Sequence, residues 1–332
     1  MKMERKFRSS DGKTDIHVLL WIPEGKVRGV LQIAHGMCEF AERYDGFAAF
    51  LAEHGYVVCA NDHLGHGKSV TDEHQLGFFR ERDGDGALIA DMRRLHIIMK
   101  KKYPDVPYFM LGHSMGSYLM RKYIVKYGQG LQGVILTGTG YEDATTTSAG
   151  LTLIRGLAKK NGWHYRSKLV ENMTHTTPYL RFDLTGEDRS NSWITRDEEI
   201  TEKYYTDPLC AYTFTLNGYE ALLTTVQYVC NKKNIEKIPK KLPLLIASGS
   251  DDPVGNMTKG VTRFYDLCIE AGIEDVELSI YEGMRHEILN EIDRDIVYDD
   301  IYEWLMLHMQ GDDADASEDG LTEQSGKSDV SK

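Results

Sequence analysis

The chain has 332 residues, of which 41% are hydrophobic and 27% are charged, and its formal net charge at pH 7 is -12. This composition predicts an ordinary packed globular protein with one large domain, or one domain that carries an insertion. The acidic charge argues against binding to nucleic acid, whose phosphates require surfaces rich in lysine and arginine. The five cysteines are widely spaced and form no CxxC pair, so neither a disulfide framework nor a structural zinc site is expected.

The N-terminus lacks the apolar stretch of a secretory signal, and no run of 18 apolar residues occurs that could cross a membrane. The expected location is therefore the cytoplasm. Residues 311–332 contain seven acids and two lysines among Ser and Gly, and such a segment cannot bury enough apolar surface to fold. We predict an acidic, disordered tail there.

The first predicted elements are two extended runs, residues 3–8 and 14–22, joined by a hairpin turn at Asp11-Gly12. Short apolar runs then alternate with amphipathic or glycine-punctuated stretches; these runs cover residues 27–35, 55–62, 106–114, 131–139, 242–250 and 276–283. Strands buried on both faces have such continuous apolar sequences, and their alternation with helices is typical of parallel βαβ units. The expected fold is α/β, a mostly parallel central sheet with helices on both faces and antiparallel edge strands from the hairpin.

The alternation is interrupted between residues 141 and 238, where Thr, Tyr, Asn and charged residues indicate several short helices. Because the interruption begins just after one strand and ends just before another, we predict an inserted helical cap over the carboxyl edge of the sheet. The core then comprises residues 1–140 and 239–310. Within the cap, residues 151–160 place apolar positions on one face and basic ones opposite. This helix is expected to pack on the core, to touch a membrane surface transiently or to line an acyl tunnel.

The strongest chemical signal is Gly112-His113-Ser114-Met115-Gly116, which lies between an apolar run and a helical pattern. A strand, a sharp turn and a helix are the setting in which the GxSxG pattern presents a nucleophilic serine. The positions flanking such a turn must be small, because a side chain there would clash with the strand or the helix. We therefore predict Ser114 as the nucleophile and the backbone N–H of Met115 as a donor to an oxyanion.

A nucleophilic serine requires a base, and the base requires an orienting acid; the order along the chain in this arrangement is serine, acid, histidine. The apolar run 242–250 leads into Asp251-Asp252, and the run 276–283 is followed by His286. Asp252 is the predicted acid because it follows Gly249 by three residues, whereas Asp251 is interpreted as a turn or cap residue. His286 is the predicted base.

A second oxyanion donor is expected in the loop after the run 27–35, where Gly36 permits a tight turn and the N–H of Met37 is the candidate. His63 and His66 have an HxxH spacing, but no third ligand accompanies them, so packing near the site is preferred over a metal site. No GxGxxG or Walker motif occurs. The sequence therefore predicts catalysis with no cofactor and no metal.

Together these motifs resemble the monoglyceride lipase and lysophospholipase branch of the α/β-hydrolases. The resemblance covers about residues 20–140 and 240–308, and its most specific parts are the segments His35–Glu39, Asn61–Ser69, Gly112–Gly116 and Arg285–Glu291. It implies hydrolysis of small single-chain lipid esters, such as monoacylglycerols or lysophospholipids, through an acyl-enzyme without a cofactor. It also supports Asp252 over Asp251. No sequence feature indicates an oligomeric state.

Other functions remain open on the same fold: an aminopeptidase, a thioesterase, a C–C hydrolase or a small-ester carboxylesterase. An aminopeptidase needs an acidic pocket for the substrate amine, and the cap does contain acids, at Glu187, Asp188, Asp197, Glu198 and Glu199. A binding module without activity would be expected to lack a member of the triad, and none is missing here.

Overall fold

A computed structural model describes residues 1–174 and 178–309. Within them the strands are β1 (Lys2–Arg8), β2 (Asp15–Trp21), β3 (Gly29–Ala34), β4 (Tyr56–Asn61), β5 (Tyr108–His113), β6 (Gly133–Thr137), β7 (Leu244–Gly249) and β8 (Val276–Tyr281). They form one sheet in the order β1-β2-β4-β3-β5-β6-β7-β8. The pairs from β4 to β8 are parallel, and the hairpin β1–β2 joins β4 antiparallel.

The helices are α1 (Asp45–Glu53), α2 (Gly84–Lys102), α3 (Met115–Tyr127), α4 (Ala144–Asn161), α5 (Lys168–Thr174), α6 (Glu198–Thr206), α7 (Leu216–Val229), α8 (Lys232–Ile235), α9 (Lys259–Glu270) and α10 (Arg294–Leu307). Alternate residues of the central strands enter two separate apolar cores. One core contains side chains of α1 and α10, and the other contains side chains of α2, α3 and α9. The sheet is covered on both faces, which confirms the predicted α/β fold.

Helices α4 to α8 all lie between β6 and β7, within the segment predicted as the cap. The stretch 151–160 belongs to α4, and its residues Leu151, Ile154 and Ala158 are buried. The apolar face of α4 therefore packs inside the protein, as the core-packing interpretation expected. No helix of the described residues is long and apolar enough to cross a membrane. The predicted tail, residues 311–332, lies outside the described residues.

A buried arginine of α3 joins the two ends of the segment between β6 and β7. The guanidinium of Arg121 donates to the Gly140 carbonyl at 2.7 Å, where the segment begins, and to the Val229 carbonyl at 3.0 Å, near the end of α7. It also lies 3.6 Å from the ring centroid of Phe264 in α9. Because Arg121 is only 1% exposed, these contacts replace the water that its charge would otherwise require.

We expect Arg121→Met to lower the free energy of unfolding by about 3 kcal/mol, since buried carbonyls lose their donor. Thermal or denaturant unfolding, followed by circular dichroism, measures the change. Arg189→Met is the matched control, because Arg189 forms an exposed ion pair with Glu202 and such pairs contribute about 1 kcal/mol or less. Equal stability of the two variants would contradict the anchoring role of Arg121.

Candidate active site

Ser114 lies at the sharp turn between β5 and α3, in a backbone conformation that non-glycine residues seldom adopt. Its φ is 52° and its ψ is -122°. The turn is possible because α3 starts directly against β3: a Cβ atom on Gly116 would lie 2.0 Å from the carbonyl oxygen of Ala34. The side chain of Ser114 makes no hydrogen bond to any described residue. The predicted nucleophile is thus held by the backbone with its hydroxyl free.

The loop after β3 lies directly against this turn. A Cβ atom on Gly36 would be 2.9 Å from Cβ of Ser114, so the loop approaches the serine as closely as glycine permits. The next N–H in the loop belongs to Met37, and the first N–H of α3 belongs to Met115. Neither N–H is bonded to another described residue. Two free backbone donors from different elements beside one hydroxyl are what an oxyanion hole requires.

The predicted acid and base are in direct contact. His286 Nδ1 lies 3.0 Å from Asp252 Oδ1, and both residues are buried. The same carboxylate oxygen accepts the N–H of Val254 at 2.8 Å, which fixes its orientation. By contrast, Asp251 is half exposed and pairs with Arg181 at 3.0 Å. Of the two neighbouring aspartates, the structure brings Asp252 to the histidine.

Two opposing effects act on His286. Burial lowers the pKa of its imidazole, but the charge of Asp252 and its hydrogen bond outweigh this and raise the pKa above the ordinary value of 6.5. The carboxylates of Glu287 and Glu39 add to the increase. A histidine whose pKa is raised by a carboxylate at Nδ1 is suited to take up a proton at Nε2.

The loop that carries His286 is bound to an irregular segment between β6 and β7, residues 190–196, which we call the strap. The N–H of Glu287 donates to the carbonyl of Ile194 at 2.8 Å, and the N–H of His286 donates to that of Trp193 at 3.4 Å. The indole of Trp193 also packs on the imidazole, with ring centroids 5.1 Å apart. These contacts could not be predicted from the sequence, since no spacing links residues so far apart in the chain.

A second missed feature is a buried ion cluster made of Glu39, Arg43 and Glu287. Arg43 contacts both oxygens of Glu287, at 2.6 and 2.8 Å, and one oxygen of Glu39 at 3.2 Å. The other oxygen of Glu39 accepts the Gly36 N–H. Burial raises the pKa of Glu39 to about 7, and the charge of Arg43 opposes this increase. The cluster ties the loop of Gly36 to the loop of His286.

The histidines of the HxxH spacing are buried beside His35 rather than exposed to a ligand. The ring centroids of His35 and His63 are 4.2 Å apart, and those of His35 and His66 are 5.1 Å apart. Burial lowers the pKa of His63 to about 4 and that of His66 to about 3. No group of side chains among the described residues has the arrangement of a metal site. His113 packs locally, with Nδ1 3.0 Å from Thr137 Oγ1.

The fold and the arrangement of these residues define an α/β-hydrolase. The sequence profile of the family described as serine aminopeptidase, S33, matches residues 25–293, and the chain belongs to this family. The predicted resemblance to monoglyceride lipases is confirmed at modest identity. The monoacylglycerol lipase of Mycolicibacterium smegmatis is 26% identical over 298 residues, which cover 87% of this chain and 92% of that protein.

Two further comparisons agree. The monoglyceride lipase of Homo sapiens is 26% identical over 276 residues, or 82% of this chain and 80% of the human protein. The crystal structure of a highly thermostable carboxyl esterase from Bacillus coagulans, in complex with glycerol, is 31% identical and has a TM-score of 0.83. That likeness covers 93% of this chain and 99% of the esterase.

We expect Ser114 to react with a serine-directed fluorophosphonate at a rate that rises with pH, with a midpoint above 6.5. The reason is that His286 must be neutral to take the proton, and its pKa is raised. Asp252→Asn removes the charge that raises this pKa, so the midpoint should move to lower pH. The rate itself should fall by up to about 10⁴, as for the corresponding change in a well-studied triad.

The rate of covalent labelling, measured across pH by intact-protein mass spectrometry, checks both effects. Asp251→Asn is the matched control, since Asp251 pairs with Arg181 on the surface and should leave the rate and the midpoint unchanged. Loss of labelling in Asp251→Asn, with Asp252→Asn still active, would exchange the roles of the two aspartates.

Proposed function

We propose that this chain is a serine hydrolase that cleaves carboxylic esters of single-chain lipids, of the monoacylglycerol or lysophospholipid type. The observation that carries the proposal is the buried pair of His286 Nδ1 and Asp252 Oδ1, 3.0 Å apart, together with the strained turn at Ser114. The ring of His286 lies 4.7 Å from that of His113, the residue before this serine. Support for the substrate class comes from relatives named monoacylglycerol lipase, monoglyceride lipase and phospholipase.

In the proposed mechanism, Ser114 Oγ attacks the ester carbonyl while His286 Nε2 takes its proton. Asp252 holds the imidazole through Nδ1 and stabilises its charge. The N–H groups of Met37 and Met115 bind the oxyanion, each worth about 3–4 kcal/mol in a comparable enzyme. The imidazolium then returns its proton to the leaving alcohol, which gives an acyl-enzyme. Water, activated by the same histidine, releases the fatty acid and restores Ser114.

The family description also raises an aminopeptidase as a second candidate. The carboxylates around His286 argue against it, because they are already paired. Binding of a substrate ammonium requires a carboxylate that is free to pair with it. Glu39 and Glu287 are both engaged by Arg43, and Asp252 is engaged by His286. Of the acids that the sequence offered for such a pocket, Asp197 caps α6 and pairs with Arg294. The other four, Glu187, Asp188, Glu198 and Glu199, are exposed. An ester, which is neutral at its reacting group, needs no such carboxylate.

We further propose that residues 141–238 act as a cap that determines the acyl chain. The walls that this segment adds near the triad are aromatic: Trp193 covers His286, and Tyr179 packs on Trp193 with centroids 5.3 Å apart. Tyr212 of the same segment accepts, through its carbonyl, the thiol of Cys38 in the loop of Met37. Aromatic surface of this kind binds a hydrocarbon chain by burial of apolar area.

The test of the proposed function is hydrolysis of 4-nitrophenyl esters from acetyl to palmitoyl, with the wild type beside Ser114→Ala. We expect activity to be highest at medium or long chains, because each buried methylene adds about 0.8 kcal/mol of binding. The variant should lose essentially all activity, and Ser117→Ala should retain it because the Ser117 hydroxyl only caps the Ser114 carbonyl.

Each alternative gives its own result in the same assay. Highest activity with the acetyl ester would indicate a small-ester carboxylesterase with the same triad. Faster hydrolysis of aminoacyl 4-nitroanilides or acyl thioesters than of matched esters would favour the aminopeptidase or the thioesterase. Full activity in Ser114→Ala would reject the mechanism as a whole.

We also propose that contact with lipid surfaces, where it occurs, involves α5 rather than α4. The apolar face of α4 is buried, whereas Leu169 and Met173, one helical turn apart on α5, are 54% and 48% exposed. Lys168 lies next to them on the same short helix. Exposed apolar side chains flanked by a basic one are typical of interfacial helices.

We expect the double variant Leu169→Ser/Met173→Ser to reduce the fraction of protein that floats with phosphatidylcholine vesicles by at least about tenfold, since it removes two exposed apolar side chains. Ile97→Ser/Ile98→Ser on α2 is the matched control, because these side chains are exposed to a similar extent on another helix. Absence of the wild type from the vesicle fraction would remove the proposal of lipid contact and leave the esterase proposal unaffected.

A cytoplasmic location is proposed from the thiols rather than from the ends of the chain. All five cysteines are buried and unpaired. Burial raises the pKa of Cys59 and of Cys268 to about 12, so these thiols stay protonated. Five free cysteines are common in a reducing compartment and uncommon in an oxidising one.

A further inference from the structure

We propose that His35 is a positioning residue, which orients the N–H of Met37 toward the oxyanion through a single fixed imidazole tautomer. The inference rests on the proposed function, since it assigns a role within the same reaction. His35 follows β3 directly and is fully buried. It contacts the backbone at both ring nitrogens: Nδ1 lies 2.8 Å from the Gly36 carbonyl oxygen, and Nε2 lies 2.9 Å from the amide nitrogen of His63.

These two partners determine which nitrogen carries the proton. A backbone N–H can only donate, so His35 Nε2 must accept the N–H of His63 and is unprotonated. The proton of the neutral ring is then on Nδ1, where it is donated to the carbonyl of Gly36. The opposite tautomer would place two hydrogens against each other at Nε2 and two lone pairs against each other at Nδ1.

The imidazole of His35 is expected to stay neutral, and so to keep this tautomer, between about pH 5 and about pH 9. Burial holds the pKa of His35 well below its ordinary value, and the neighbouring His63 and His66 lower it further. A protonated ring would also have to place its second N–H against the N–H of His63. Other polar groups on this loop act on different atoms: Glu39 accepts the Gly36 N–H and the Tyr44 hydroxyl.

The carbonyl that His35 binds belongs to the same peptide unit as the N–H of Met37. A peptide unit is planar, and in its trans form the C=O and the N–H point in opposite directions. A hydrogen bond to the Gly36 oxygen on one side therefore fixes where the Met37 N–H points on the other. Since Gly36 also lies against Ser114, we infer that this direction is toward the serine, where the oxyanion would form.

A buried histidine with two satisfied nitrogens is also compatible with a purely structural role, and two substitutions separate the interpretations. In His35→Asn, the amide nitrogen occupies the position of Nδ1 and can still donate to Gly36, while the contact with His63 is lost. In His35→Gln, the amide oxygen reaches the position of Nε2 and can accept from His63, while the donor to Gly36 is lost. Each variant keeps one of the two hydrogen bonds.

We expect His35→Gln to lower kcat by about 10²–10³, the effect of losing one oxyanion donor, while KM stays within a few-fold. Its affinity for a trifluoromethyl ketone, which forms a tetrahedral oxyanion on Ser114, should fall by the same factor. His35→Asn should retain at least tenfold more of both kcat and affinity. His96→Gln, a buried histidine of α2 stacked on Tyr108, should reduce Tm without lowering kcat.

The role of His35 is rejected if the two substitutions lower kcat equally, or if kcat follows Tm across all three variants. A measurement on the wild type keeps the test independent of variant folding: in ¹⁵N spectra of the histidine rings, His35 should be protonated at Nδ1 and should not titrate between about pH 5 and about pH 9. Protonation at Nε2 would overturn the inference. Wild-type activity that survives in Ser114→Ala would instead reject the proposed function itself.

Discussion

The turn at Ser114 is the constraint on which the rest of the site depends. A serine with φ of 52° costs about 1–3 kcal/mol, and it persists only where surrounding structure enforces it. Here β3, β5 and α3 meet so closely that a Cβ atom on Gly116 or Gly36 would overlap backbone or side-chain atoms. The apolar packing of α3 against the sheet supplies the stabilisation that offsets this strain. The consequence is that the turn places the hydroxyl of Ser114 close to the first N–H of α3, which belongs to Met115.

Five buried histidines around this turn differ in one respect that matters for chemistry. Burial lowers the pKa of His35, His63, His66 and His113, whose ring partners are neutral groups. His286 is equally buried, but Asp252 at Nδ1 raises its pKa above the ordinary value. Burial therefore keeps this side chain neutral in four positions, whereas in one position its environment suits it to accept a proton. The difference lies mainly in the carboxylate of Asp252, to which the charges of Glu287 and Glu39 add.

Local sequence predicted the strands and the reactive loops because both leave short-range patterns. The apolar runs match the parallel strands to within two residues at each end. The glycine three residues before Asp252 also has a physical reason: a Cβ atom on Gly249 would lie 2.1 Å from the carbonyl oxygen of Met284 in the histidine loop. The contacts of Trp193 with His286 and of Arg43 with Glu287 had no such pattern. They join segments about 90 and about 240 residues apart, which only the folded chain brings together.

The strap limits how the inserted segment can move. Backbone groups bond the strap to the histidine loop. In addition, Arg196 of the strap donates to the carboxylate of Glu291 at 2.9 Å, and Arg285, beside His286, donates to the carbonyl of Ser190 in the strap at 3.0 Å. A motion that lifted the strap would break these bonds and release His286 from its orientation beside Asp252. Arg121 fixes the two ends of the same segment in a similar way. The strap and Arg121 therefore hold the inserted segment at its two ends and at the part that lies over the imidazole of His286.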